Sequence, residues 1–344
     1  MNLSKKNYLF IGCATLIMLC CSCTFLLGTS LVLIGDSTNS STTCRIDGVP
    51  CDEISENTDI EADQLDESYF GGENDRLELD FEEEVIIISY LVDDAAISEL
   101  KKPQVAPELQ ELQDDVQKHH ELWELYVRLF PESYLENIQE LEITTDGIDG
   151  TLAAVYQSQK AIDKWILVID IIDAYPRDKL DDRELKSTLI HEFGHILSFD
   201  KKQLDLSEEY FYARTQDQVE ESLQLGRASC PTYYAIEGCM YADSYLFKFY
   251  DEFWTPLYSE LRILEQIDDE EEYYDAAYEL YLRHPDQFVT DYAAVNPGED
   301  IAESWTAFIL KDKPTGSTIA DEKIRFFYRF PELVEMRQEI RSNL

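Results

Sequence analysis

The chain has 344 residues, 71 of them acidic and 28 basic, for a formal net charge of −43. A field of that sign opposes phosphate binding and argues against nucleic acid as a partner. A hydrophobic fraction of 44% is ample for a core, and the length suits one globular domain of about 250 residues with non-globular sequence before it.

Lys5 and Lys6 precede the uncharged, mostly apolar stretch 8–35, and Asp36 follows it. The stretch exceeds the ~20 residues that cross a bilayer and the roughly 7–15 apolar residues of a secretory signal, so residues 1–35 read as a cytoplasmic stub with an uncleaved transmembrane anchor. Positive charge on the short side puts that end in the cytoplasm and the rest of the chain outside the cell membrane. Cleavage would instead make the protein secreted. Cys13, Cys20, Cys21 and Cys23 lie in or beside this apolar run, but the residues before them, such as Ile17-Met18-Leu19, are too large for a lipoprotein signal.

Residues 36–84 are rich in Ser, Thr, Asp and Glu and read as a flexible acidic stalk. Cys44 and Cys51 flank a turn-like sequence there, and Cys230 and Cys239 flank a short loop farther on. Local bridges 44–51 and 230–239 are the simplest pairing, and they fit an oxidising compartment.

The folded part, 85–344, opens with Val85-Ile-Ile-Ile-Ser-Tyr-Leu-Val, a strand or a docking segment. Pro107 then starts a helical pattern through Leu109, Leu112, Val116, Leu122, Leu125, Tyr126 and Leu129, ending at Pro131. His119 and His120 within it point about 100° apart, so they cannot chelate one metal, and they are expected at the surface. Three short apolar runs, 138–143, 150–157 and 165–172, predict a small, partly antiparallel sheet lying on that helix. The fold class is therefore α+β: a small mixed sheet, a metal-site helix, then a mostly helical half.

That helix carries His191-Glu192-Phe193-Gly194-His195. Asp181 and Glu184 form a capping-box pattern, and Leu185, Leu189, Phe193, Ile196 and Leu197 recur at helical spacing, which predicts a helix over about 182–199. Residues four apart share a helix face, so His191 and His195 can offer two imidazole nitrogens to one metal while Glu192 points to the same edge. After Asp200 the chain reads as mostly helical, with aromatic core stripes in 241–265 and 270–283. A final helix over 318–343 is broken at Pro331.

A third ligand is required. Ser198 and Lys201 stand where a third-histidine pattern needs Gly and His, and His284 precedes Pro285 without a local ligand partner. Asn296-Pro297-Gly298 starts a helical segment in which Glu299 and Glu303 share a face and Ala302 permits close approach to the HEFGH helix. Each carboxylate can reach either the metal or a ligating histidine.

HEFGH followed about a hundred residues later by Tyr-x-x-x-Asn-x-x-Glu-x-x-Ala-Glu resembles the catalytic domain of anthrax lethal factor and the Pro-Pro endopeptidases. It is also similar to a group of bacterial zinc-binding metallopeptidases. The resemblance covers the two motifs and the element order between roughly 138 and 340, and it departs in a long insert at about 200–285. It implies a zincin-like domain with one Zn2+ held by His191, His195 and Glu299. It further implies that Tyr292 faces the reacting carbonyl and that Glu303 supports the ligands.

The chemistry needs these parts. Three protein ligands leave a position for water, whose pKa zinc lowers to ~7, and Glu192 is placed to act as general base. Zinc and the Tyr292 hydroxyl are suited to stabilise the charged carbonyl oxygen. The expected function is a membrane-anchored extracellular zinc metallopeptidase acting on a peptide or protein substrate. The rival is a catalytically silent surface protein of the same fold that serves as a binding module.

Overall fold

The structure is a computed structural model that describes residues 84–344 apart from 94, 148, 149 and 268, together with the backbone of 45–46 and 49–50. Those four residues pair as a small antiparallel hairpin in a unit of their own. The 8–35 anchor, the 44–51 bridge and the rest of the stalk up to residue 83 lie outside the described residues. Among the described residues no helix is long and apolar enough to cross a membrane.

The main sheet has five strands: β1 (Val85–Asp93), β2 (Ala96–Lys101), β3 (Ile138–Thr145), β4 (Ala153–Ser158) and β5 (Ala161–Asp170). Their order is β2-β1-β3-β5-β4, antiparallel except for the parallel pair β3 and β5. The β4–β5 hairpin folds back so that β5 lies between β3 and β4, leaving β4 at one edge. Val85-Ile-Ile-Ile is thus a strand, and the sheet is larger than the three runs predicted. β5 ends at Asp170, earlier than the apolar run, because the Asp170 carboxylate accepts from the Ile172 and Asp173 amides and starts a helical turn.

One face of the sheet buries Ile87, Leu141, Ile143, Val155, Leu167 and Ile169 in the same core as α1 (Val116–Leu129) and α2 (Asp182–Ser198). The helical pattern from Pro107 is interrupted at Asp115, whose φ −80° and ψ 64° are non-helical and whose side chain accepts from the Lys118 amide. A capping aspartate there favours a fresh helix start over continuation. His119 corrects the sequence expectation: it is fully buried, with Nδ1 2.7 Å from the Tyr90 hydroxyl and Nε2 2.9 Å from the Leu112 carbonyl. Both ring nitrogens have partners, which removes the penalty that would have kept the imidazole at the surface. His120 is exposed, as expected.

Beyond α2 the chain is mostly helical, with one small three-stranded sheet that the sequence did not announce: β6 (Leu204–Leu206), β7 (Tyr234–Ala235) and β8 (Gly238–Met240), in order β6-β8-β7. A disulfide joins Cys230 to Cys239 here. The longer helices are α3 (Gln216–Ser229), α4 (Tyr245–Phe253), α5 (Tyr258–Leu264), α6 (Glu270–Arg283), α7 (Pro297–Leu310), α8 (Ile319–Phe326) and α9 (Pro331–Asn343). Pro256 separates α4 from α5, and Pro331 opens α9, where its missing N–H costs nothing.

Two contacts set α7 against its neighbours. A Cβ on Gly194 of α2 would come within 3.1 Å of Ala302 Cα and of Trp305 Cδ1, so glycine facing alanine lets α2 and α7 approach closely. From the other side, Asp300 accepts from Trp254 Nε1 at 2.8 Å and pairs with the fully buried Lys323 at 2.5 Å.

Candidate metal centre

The site forms where α2 crosses the first turn of α7. α2 is started by Asp181, which accepts from the Glu184 amide at 3.2 Å, and it carries His191 and His195 on one face. α7 is started by Asn296, whose Oδ1 accepts from the Gly298 and Glu299 amides, with Pro297 fixing the first helical φ. The cap leaves Glu299 in the first turn, aimed at α2.

His191, His195 and Glu299 are 3%, 5% and 3% exposed. His191 Nε2 lies 3.1 Å from His195 Nε2 and 3.2 Å from Glu299 Oε2, and His195 Nε2 lies 3.4 Å from Glu299 Oε2. Three donors bound tetrahedrally at ~2.0–2.1 Å from one ion are about 3.3 Å apart. The observed spacing matches that value on all three sides, so this buried His-His-Glu group can hold a metal ion.

Glu303, one turn beyond Glu299, has Oε1 2.7 Å from His191 Nδ1, while its Oε2 accepts from Thr290 Oγ1 at 2.8 Å. A carboxylate at Nδ1 holds the proton on that nitrogen and leaves the Nε2 lone pair directed at the other two donors. Burial works against a charged His191, but Glu299 and Glu303 together hold its pKa well above the ordinary histidine value. Burial likewise would raise Glu299, yet the neighbouring His195 and His191 pull it down to about 2. Burial would also raise Glu303, and its bond to His191 lowers it instead. The centre of the triad therefore favours positive charge, and a metal cation there competes with protons for the same atoms.

Glu192, next to His191 in sequence, is 1% exposed, its Oε2 accepting from the Val155 amide of edge strand β4 at 3.1 Å. Burial raises its pKa to about 7, although the neighbouring histidines oppose the shift. Tyr292 begins a short turn, 292–294, that leads into Asn296. Its ring centroid is 6.1 Å from that of His191, and it lines a cavity of about 700 Å³ with Asp269, Glu270, Glu271, Tyr274 and Asp275.

Of the residues singled out in the sequence, His191, His195, Glu299 and Glu303 are thus brought into direct contact, with the Tyr292 ring near His191 and Glu192 on the same helix as the two histidines. The sequence did not single out Thr290, which supports Glu303, or the Val155 amide, which holds Glu192. Val155 contributes only its backbone, so no side-chain pattern marks it. His284 has no part in the centre and lies 2.8 Å from Glu260 Oε1.

No protein-family model matches the chain, and neither a curated protein nor a solved structure matches it.

Proposed function

We propose that this chain is a zinc-dependent peptidase, anchored by residues 8–35 with its catalytic domain outside the cell. The single observation that carries the proposal is the His191, His195, Glu299 donor set at tetrahedral spacing, with the unligated carboxylate of Glu192 beside it. Two imidazoles and one carboxylate suit Zn2+, and catalytic zinc sites characteristically use three such ligands. The metal, when bound, supplies Lewis acidity that lowers the pKa of a water to ~7 and polarises a carbonyl.

The chain's own groups do the rest. Glu192 takes the proton from the attacking water and delivers it to the leaving amine. The Val155 amide holds one oxygen of that carboxylate, leaving the other to accept. Glu303 keeps His191 in the ligating tautomer. Tyr292 donates its hydroxyl to the carbonyl oxygen as negative charge develops there. β4, the strand that touches the base, is the last strand in the sheet order among the described residues, and an edge strand suits pairing with an extended peptide. The Cys230–Cys239 bridge supports an oxidising, extracellular setting.

The test is zinc content and cleavage of a mixed peptide library by the full chain in detergent, beside Glu192→Gln and Glu299→Ala. The expected result is about one zinc per chain in the parent and in Glu192→Gln, less in Glu299→Ala, with cleavage by the parent alone. Cleavage retained in Glu192→Gln, or no tight zinc in the parent, overturns the proposal.

A further inference from the structure

The five strands present a second face, opposite α1 and α2. Along β5, Leu167 and Ile169 join the main core, whereas Ile166 and Val168 point the other way and form a separate cluster with Ala154 of β4. These three are 9%, 4% and 6% exposed, yet among the described residues the partly buried apolar side chain packed against them is Tyr156. Apolar side chains on a bare sheet face would be far more open to water, so more of the chain must lie over them.

Several polar residues of the same face pair among themselves. Lys160 Nζ is 2.7 Å from Glu140 Oε1, and Glu142 accepts from the Tyr156 hydroxyl and from Ser89 Oγ. Among the described residues, Tyr156 is the partly buried apolar side chain over the three, so the rest of their cover comes from elsewhere.

Chain connectivity limits what can supply it. β1 begins at Val85, paired with Thr145, and the next row of the sheet runs Ile86, Thr144, Asp170. The row Ser89, Glu142, Val168, Ala154 follows closely along the strands. From the start of β1 to β5 is two strand spacings, about 10 Å, and five extended residues reach roughly 17 Å. The five residues that precede Glu84 are Leu79-Asp80-Phe81-Glu82-Glu83. In an extended segment Leu79 and Phe81 share one side while Asp80 and Glu82 share the other.

We infer that the outer face of the sheet is the docking surface for the chain's own segment 79–83, with Leu79 and Phe81 seated on Ala154, Ile166 and Val168 and the acids turned to solvent. The acidic stalk then ends before residue 79 rather than at 84. Its last residues back β4, the strand whose opposite side carries Val155 and whose amide holds Glu192.

Hydrogen exchange read by mass spectrometry on the full chain in detergent tests this. Leu79→Ser with Phe81→Ser is expected to speed exchange in 153–158 and 161–170 by about ten-fold or more, while 189–197 in α2 stays protected and so reports an intact core. Asp80→Ser with Glu82→Ser, and the conservative Leu79→Met with Phe81→Leu, are expected to leave exchange as in the parent. Equal effects from the apolar and acidic pairs overturn the inference, as does parental exchange in Leu79→Ser with Phe81→Ser. Two further results would also overturn it. Protection lost only when 8–35 is removed would give the face to the apolar N-terminal stretch, and protection that varies with protein concentration would give it to a second copy.

Discussion

His191 has three carboxylate-bearing neighbours, and each has a different consequence. Glu299 shares its metal-facing side, Glu303 its far nitrogen, and Glu192 follows it in sequence but turns away to Val155. Replacing Glu303 by Gln keeps the shape but weakens the bond at Nδ1 and frees the tautomer. The expected outcome is a 10–100-fold loss of zinc affinity, read by competition with a chromogenic chelator, with cleavage restored at saturating zinc. Glu192 gives a pH dependence: its pKa of about 7 without metal means the basic form is lost as pH falls. A bound cation favours the carboxylate, so the acid limb of kcat/KM is expected at or below pH 7 and should vanish from the residual rate of Glu192→Gln. The residue types at this centre were legible because four-residue spacing on a helix encodes a shared face. Thr290 and the Val155 amide were not legible, since each depends on a through-space approach that no local spacing records.

The centre exists only if two helices cross closely, and Gly194 and Ala302 are the residues that permit it. A methyl on Gly194 would press on backbone as well as on the Trp305 ring, and backbone cannot rotate away. Gly194→Ala is therefore expected to lower stability by about 1–3 kcal/mol and to weaken zinc binding at the same time, measured by thermal melting with and without zinc. Parental zinc affinity together with a parental melting temperature would show that α2 and α7 have slack. At this scale the long elements were readable: α2, α7 and the strands of 138–170 follow from periodicity and caps. Asp115 escaped because a single capping residue ended a helix whose apolar pattern ran on through it. The strands of the β6-β8-β7 sheet are two or three residues long, too short for alternation to declare itself. His119 escaped because its burial depends on Tyr90 and Leu112, which belong to other elements.

For the whole molecule, the α+β class was legible from the order of elements, and so was the placing of the two motifs on either side of a long intervening segment. The Cys230–Cys239 bridge within that segment was legible from its spacing, but the mutual arrangement of its helices was not, because it rests on aromatic contacts among segments far apart in sequence. The separation of the donors has a consequence for how the molecule is made. His191 and Glu299 are 108 residues apart, so under the proposed function the third ligand arrives only after the intervening chain has been synthesised and α7 has docked. Long loops of this kind close late, so the proposed zinc would not template the early chain. Loading is then a final clasp: a jump in chelator concentration is expected to speed unfolding while leaving the initial refolding rate unchanged, as followed by stopped-flow tryptophan fluorescence. A refolding rate that rises in proportion to zinc would instead mean that the two helices meet before the fold is complete.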